Sequence, residues 1–192
     1  MRLFVALDLP PEVCDALEHA VNGLRTDVSG ARWSKRESLH LTLKFLGNAD
    51  ETLLPRITAA LAQIHSSKEI ALAMRGIGFF PDHKRPRVMF CGVETSPHLA
   101  ELAASIETIL EPLGFRRETR NYVPHITLAR LNSARGVPKL VAAAEPLKSY
   151  HFGAGRAREF HLYQSVLKPV GSEYKKLATF PFVTDAKEND AQ

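Results

Sequence analysis

A four-residue pattern occurs twice in this 192-residue chain, as His40-Leu41-Thr42-Leu43 and, 85 residues later, as His125-Ile126-Thr127-Leu128. Both copies lie in segments that alternate apolar and polar residues, the mark of a half-buried strand. Residues i and i+2 of a strand project from the same face. Each copy therefore presents a histidine and a threonine on one side and turns its apolar residues toward a core. One copy in each half implies two similar lobes that face their His-Thr pairs across a groove.

The chain around these copies reads as mixed. Strands are expected at Leu3–Leu7, Ala31–Trp33, Ser38–Leu46, Ile70–Phe79, Arg87–Val93, His125–Leu131, Arg158–Leu167 and Lys176–Phe182. Helices are expected from Pro10 or Pro11 to Leu24, over Leu53–Ile64, from His98 to Leu113 with a cap at Gly114, and over Lys139–Ala144. Several consecutive strands lack an intervening helix, which favours an α+β fold with antiparallel sheets over a doubly wound parallel sheet. No linker-like stretch divides the sequence, so one domain is expected over residues 1–183. The polar tail 184–192 reads as disordered.

Composition narrows the class. Hydrophobic residues make up 45% and charged residues 24%, as in an ordinary globular chain able to bury a core. The net charge of +4 is compatible with a polyanionic partner without requiring one. Two scattered cysteines, Cys14 and Cys91, form neither a disulfide framework nor a zinc motif and read as small buried hydrophobes. No segment has a signal-peptide core or the length of apolar sequence needed to span a membrane, so a cytoplasmic location is expected.

The repeated motif has a direct chemical reading. With an ordinary pKa near 6.5, one imidazole of a pair can act as base while the other acts as acid. In-line hydrolysis of a cyclic phosphodiester needs that combination: a base for the attacking water and an acid for the departing ribose oxygen. The threonine hydroxyls can donate to non-bridging phosphate oxygens. Symmetry of the motif leaves open which histidine takes which part.

Together with Arg2–Leu7, Arg32-Trp33, Leu39–Gly47, Pro124–Arg130, Leu162–Ser165 and Tyr174–Leu177, the two motifs resemble the 2H phosphoesterases. Within them they resemble the bacterial and archaeal RNA 2′,3′-cyclic phosphodiesterases, also called 2′-5′ RNA ligases. The resemblance runs over nearly the whole chain. It implies two pseudo-symmetric βα lobes with antiparallel sheets flanking a central cleft. It also implies a metal-independent enzyme without cofactor, acting on RNA or oligonucleotide ends that carry a 2′,3′-cyclic phosphate. Under it His40 protonates the leaving 3′-oxygen and His125 activates water, leaving a 2′-phosphate. Thr42 and Thr127 bind the phosphate, and Arg130 lies near phosphate or base. ATP-independent 2′-5′ ligation is the reverse counterpart. A monomer without an obligate protein partner is expected.

Phe45 and Arg130 each follow a motif histidine by five positions, which strict alternation puts on the opposite face unless a bulge intervenes. Phe45 is a candidate base-stacking residue, with core packing as its alternative; Trp33 reads as packing. The turn His83–Arg87 reads as solvated, and Arg116, Arg117 and Arg120 as residues that could steer anions by their summed field. His19, His65, His98, His151 and His161 read as surface or structural. Three rivals remain: a metalloenzyme, for which the paired short ligand spacing is missing; a nucleotide-driven ligase, for which no phosphate loop or KxDG lysine motif is present; and a non-catalytic RNA-binding module. A 2H enzyme acting on another small cyclic nucleotide is the nearest alternative.

Overall fold

The computed structural model describes residues 1–25, 30–64, 69–168 and 171–182; the tail 184–192 and His65 lie outside them. Nine strands and four helices of the described residues follow in the order β1 (Arg2–Asp8), α1 (Pro11–Leu24), β2 (Ala31–Trp33), β3 (His40–Asn48), α2 (Leu54–Leu61), β4 (Ile70–Phe80), β5 (Val88–Val93), α3 (Pro97–Leu110), β6 (His125–Leu131), α4 (Val137–Ala144), β7 (His151–Ala157), β8 (Glu159–Lys168) and β9 (Gly171–Pro181). The first sheet runs β3-β1-β8-β9 and the second β2-β6-β5-β4-β7. Every pairing in both is antiparallel, as the α+β reading anticipates.

The chain passes back and forth between the sheets. β1 belongs to the first sheet, yet the helix after it, α1, packs on β7 and α4 of the second. In exchange α3, which follows two strands of the second sheet, packs on β3 of the first and on α2. β1 is an inner strand of its sheet, and Leu3 to Leu7 are all buried on its two faces. That burial explains why its sequence is a continuous apolar run rather than an alternating one. α1 turns Val13, Cys14, Leu17, Val21 and Leu24 inward, a stripe at helical spacing. Cys91 is fully buried, and that burial pushes the pKa of its thiol up to about 12, so it behaves as a small hydrophobe.

Several boundaries differ from expectation. The segment before β3 is a short 3-10 turn, Arg36–Ser38, and the strand itself begins at the motif histidine. α3 stops at Leu110 and tightens into a 3-10 turn, Glu111–Leu113, because Pro112 cannot donate to the helical ladder. Gly114 then closes it with a left-handed φ of 91°. At its start, Ser96 Oγ accepts from the Leu99 amide at 3.3 Å. β7 has no counterpart in the sequence reading. Its run His151-Phe152-Gly153-Ala154-Gly155-Arg156-Ala157 is rich in glycine and poor in strand formers.

The glycines of β7 are a packing requirement. A Cβ on Gly155 would lie 2.3 Å from Pro10 Cγ, at the entrance of α1, and one on Gly153 would lie 3.1 Å from a Val13 methyl. Gly155→Ala is expected to lower the unfolding free energy by about 1–3 kcal/mol, the usual cost of overpacking. Gly23, in the exposed part of α1 with nothing within 4 Å of its would-be Cβ, is the contrast: Gly23→Ala should stabilise by up to about 1 kcal/mol. Urea denaturation of both variants checks the pair.

Candidate active site

β3 and β6 carry the two motifs and share one backbone irregularity. In β3, Ala6 pairs with Thr42 but Val5 pairs with Lys44, so Leu43 is an extra residue. In β6, Phe90 pairs with Thr127 but Met89 pairs with Ala129, so Leu128 is the extra one. A β-bulge therefore falls at the fourth motif residue of each strand. The pattern of buried and accessible residues is identical over seven positions counted from each histidine. The bulge brings Phe45 and Arg130 round to the face of the histidines, where both are exposed. The same shift buries Lys44, whose ammonium pairs with Glu107 of α3 and donates to the Arg116 carbonyl at 2.9 Å.

Each histidine is held in the same way. His40 Nδ1 is 2.8 Å from the Ser38 carbonyl, and His125 Nδ1 is 2.8 Å from the Val123 carbonyl. A carbonyl only accepts, so Nδ1 carries the hydrogen in both rings. In the neutral imidazole this leaves the Nε2 lone pair free to take a proton. Aromatic rings fix the orientation further. His40 packs 4.7 Å from Phe4 and edge-on at 5.1 Å from Tyr174, with Tyr163 stacked on Phe4 at 5.2 Å and 6.5 Å from His40 itself. His125 meets Phe80 edge-on at 5.0 Å and Phe90 at 5.6 Å. Phe90 lies flat over Gly78, where a Cβ would come within 2.5 Å of the ring.

Two hydroxyl groups tie the motif strands to the segments leading into the opposite motif. Tyr122, three residues before His125, donates to the Thr42 carbonyl at 3.0 Å. Ser34, just before the turn that enters β3, donates to the Thr127 carbonyl at 2.7 Å. Burial pushes the Tyr122 phenol well up, so it stays a donor. The first of these bonds crosses between the two sheets and brings the motifs together. His125 and Arg130 lie near enough for their charges to bear on His40.

The surroundings are not symmetric. Asp8 pairs directly with His40 across β1 and β3. Although burial opposes its ionisation, hydrogen bonds from His161, Lys176 and Tyr163 hold its carboxyl well below the usual carboxylate range. His161 is 1% exposed, which makes it structural: Nδ1 is 3.1 Å from Thr179 Oγ1 and Nε2 is 3.3 Å from Asp8. Burial pushes His40 below the ordinary value of 6.5, partly offset by its bond to Ser38 and by Asp8.

Of the residues expected at the site, His40, Thr42, Phe45, His125, Thr127 and Arg130 all fall on the inner faces of β3 and β6. Trp33 is half-buried and packs on the core. The basic turn is exposed, with Asp82 accepting from the Lys84 and Arg85 amides. Of the proposed steering residues, Arg117 is paired with Glu111 and Arg120 with Glu118, so much of their field is cancelled locally. Sequence reasoning assigns no role to Asp8, Phe4, Tyr163, Tyr174, Phe80, Phe90 or Tyr122. Phe4, Tyr163 and Tyr174 fall in stretches that carry the family resemblance, but no spacing marks a role for any of these residues; strand register brings all but Tyr122, which precedes β6, to the histidines. Among the described residues no cluster of three or more His, Cys, Asp or Glu side chains is arranged to hold a metal ion. None of their helices is long and apolar enough to cross a membrane.

The paired His-x-Thr strands on two antiparallel sheets define a two-histidine phosphoesterase architecture. Residues 9–165 match the family model described as the 2′-5′ RNA ligase superfamily, and the chain belongs to that family. Among its relatives, a protein of Archaeoglobus fulgidus named RNA 2′,3′-cyclic phosphodiesterase is 35% identical over 94% of this chain and 99% of its own length. A protein of the same name from Methanocaldococcus jannaschii is 34% identical over 91% and 97%. The crystal structure of a Thermus thermophilus protein superposes with a TM-score of 0.81 at 32% identity, covering 96% of this chain and 100% of that one. Escherichia coli LigT, solved with 3′-AMP, gives 0.79 at 25% identity over 95% and 98%.

The lowered pKa of His40 has a stability consequence. Between its folded value and 6.5, the unfolded chain binds more protons than the folded one, so His40 makes stability rise with pH through that window. Replacing it removes the contribution. The stability gained by wild type between about pH 5 and pH 7.5, which brackets the ordinary histidine range, should exceed that gained by His40→Ala, as read from urea midpoints at the two pH values.

Proposed function

We propose that the protein is an RNA 2′,3′-cyclic phosphodiesterase that opens cyclic phosphate ends to 2′-phosphomonoesters by two-histidine acid–base catalysis. The observation that carries this reading is the matched pair of imidazoles, each donating from Nδ1 to a backbone carbonyl and keeping Nε2 for proton transfer beside a threonine. In the proposed reaction His125 takes a proton from water as its oxygen attacks phosphorus. The bond to the 3′-oxygen breaks, and His40 delivers a proton to that oxygen. Burial favours the neutral form of His40, and the carboxylate of Asp8, across the strand pair, partly offsets it in favour of the protonated form that the acid requires. Thr42 and Thr127 donate to the non-bridging oxygens, and Arg130 adds a cation near the same group. Phe45 offers an exposed ring, 53% accessible, for the terminal base.

A 5′-hydroxyl taking the place of water would give 2′-5′ ligation without ATP, because the cyclic ester already stores the energy of the new bond. Residues 1–183 form the catalytic unit in this reading, with no metal or cofactor of its own. A cytoplasmic monomer acting on RNA ends completes it.

Incubation with an oligoribonucleotide ending in a 2′,3′-cyclic phosphate, in EDTA and without ATP, should yield the 2′-monophosphate. A 3′-phosphate product would reverse the proposed cleavage, and no product would overturn the reading in favour of a metalloenzyme, a 2H enzyme for another cyclic nucleotide or a binding module. His40→Ala and His125→Ala should each lower kcat by about 10²–10⁴ while the chain stays folded. The kcat–pH profile should be bell-shaped, with both limbs belonging to the coupled pair. A variant retaining near wild-type kcat removes its histidine from the mechanism.

A further inference from the structure

β2 sets Arg32 directly opposite Arg130 of β6. Residues directly opposite in an antiparallel ladder share a face, so Arg32 stands on the inner face with His125 and Thr127. Its neighbour Trp33 turns to the core instead, and Arg32 is exposed. Like charges directly opposite one another destabilise a strand pair. Among the described residues neither guanidinium has an acidic partner, so no carboxylate offsets their direct opposition across the strand pair. A guanidinium on the short edge strand β2 set opposite another on its neighbour β6, neither neutralised by an acid, is the arrangement an anion would relieve.

The position of this pair is set by the motif strand itself. The Ser34 amide donates to the Leu128 carbonyl at 2.8 Å, and Ser34 Oγ donates to the Thr127 carbonyl at 2.7 Å. β2 is thereby locked in register beside Thr127. Because Leu128 is the bulged residue, only two pleats, about 7 Å, separate Thr127 from the Arg32–Arg130 pair. That is close to one nucleotide step along an extended backbone. Arg130 is near enough for its charge to bear on His40. Arg32 sits one strand further out, on the edge of the sheet. On the other wall, the position equivalent to Arg130 is Phe45, with the Arg2 guanidinium 4.8 Å above its ring.

We propose that Arg32, with Arg130, holds the phosphodiester on the 5′ side of the terminal nucleotide, so that the enzyme selects oligoribonucleotide ends over cyclic mononucleotides. This rests on the cyclic-phosphate reading above. Arg32 lies outside the proton-transfer machinery and acts on substrate choice alone.

The test compares adenosine 2′,3′-cyclic phosphate with the dinucleotide ApA ending in the same cyclic phosphate, using the full chain. Wild type should prefer the dinucleotide. Arg32→Gln should lower kcat/KM for the dinucleotide on the order of tenfold, through KM, and leave the mononucleotide unchanged. The slope of log kcat/KM against log salt for the dinucleotide should fall by about 1. A dinucleotide whose internal linkage is an uncharged methylphosphonate should lose the wild-type preference. The proposal is overturned if Arg32→Gln affects both substrates alike or neither, or if the neutral linkage keeps the preference. Failure of the parent reading looks different, since wild type would then open neither cyclic phosphate.

Discussion

The bond from each imidazole Nδ1 to the carbonyl two residues upstream is the constraint on which the rest of the site depends. It selects one tautomer, aims the ring, and leaves one nitrogen for chemistry. It also requires the backbone before each histidine to turn its carbonyl toward the ring, so the strand proper begins at the histidine. The aromatic residues around each ring add a second restraint without adding charge. An imidazole held by one carbonyl and two aromatic rings loses little further freedom when a ligand arrives, which is the condition for pre-organised proton transfer.

The bulges at Leu43 and Leu128 convert two ordinary strands into working ones. Without them, His and Thr would share a face while the side chain at the sixth position pointed into the core. With them, three functional side chains line up on each strand. Among these three side chains the copies differ at one. One strand presents a phenyl ring at Phe45 and the other a guanidinium at Arg130, so equivalent backbone sites carry different chemistry. The buried pair Lys44–Glu107 has no equivalent on β6, where Ala129 fills the same place. It ties β3 to α3 and, through the Arg116 carbonyl, to the segment that leads to Tyr122 and His125.

How much of this is legible in the sequence depends on whether a feature leaves a local mark. The strand His125–Leu131 can be read to its end residues because its motif starts it and its apolar positions carry it through. The motif residues follow from the same periodicity. The bulges leave no mark, since Leu43 and Leu128 are ordinary strand residues with no glycine beside them; the faces of Phe45 and Arg130 can only be stated conditionally. β7 is invisible for the opposite reason. Its glycines speak against a strand, and the close approach that demands them comes from Pro10, near the other end of the chain. Asp8 closes an apolar strand and looks like a simple terminator. Its importance comes from the register that sets it opposite His40.

The cross-bracing hydroxyls explain why the active site and the fold cannot be varied independently. Tyr122 belongs to the approach to the second motif but satisfies a carbonyl of the first; Ser34 does the reverse. A bulge leaves backbone groups without ladder partners, and a carbonyl left unpaired inside a protein costs about 1–3 kcal/mol. The threonine carbonyls beside the two bulges are where these hydroxyls bind. The irregularity that brings Phe45 and Arg130 to the cleft thus creates the acceptors that hold the two lobes in place. Spreading the lobes apart would break the Tyr122 bond at the moment it separated the histidines, so the distance between the two imidazoles is coupled to the satisfaction of the backbone that carries them.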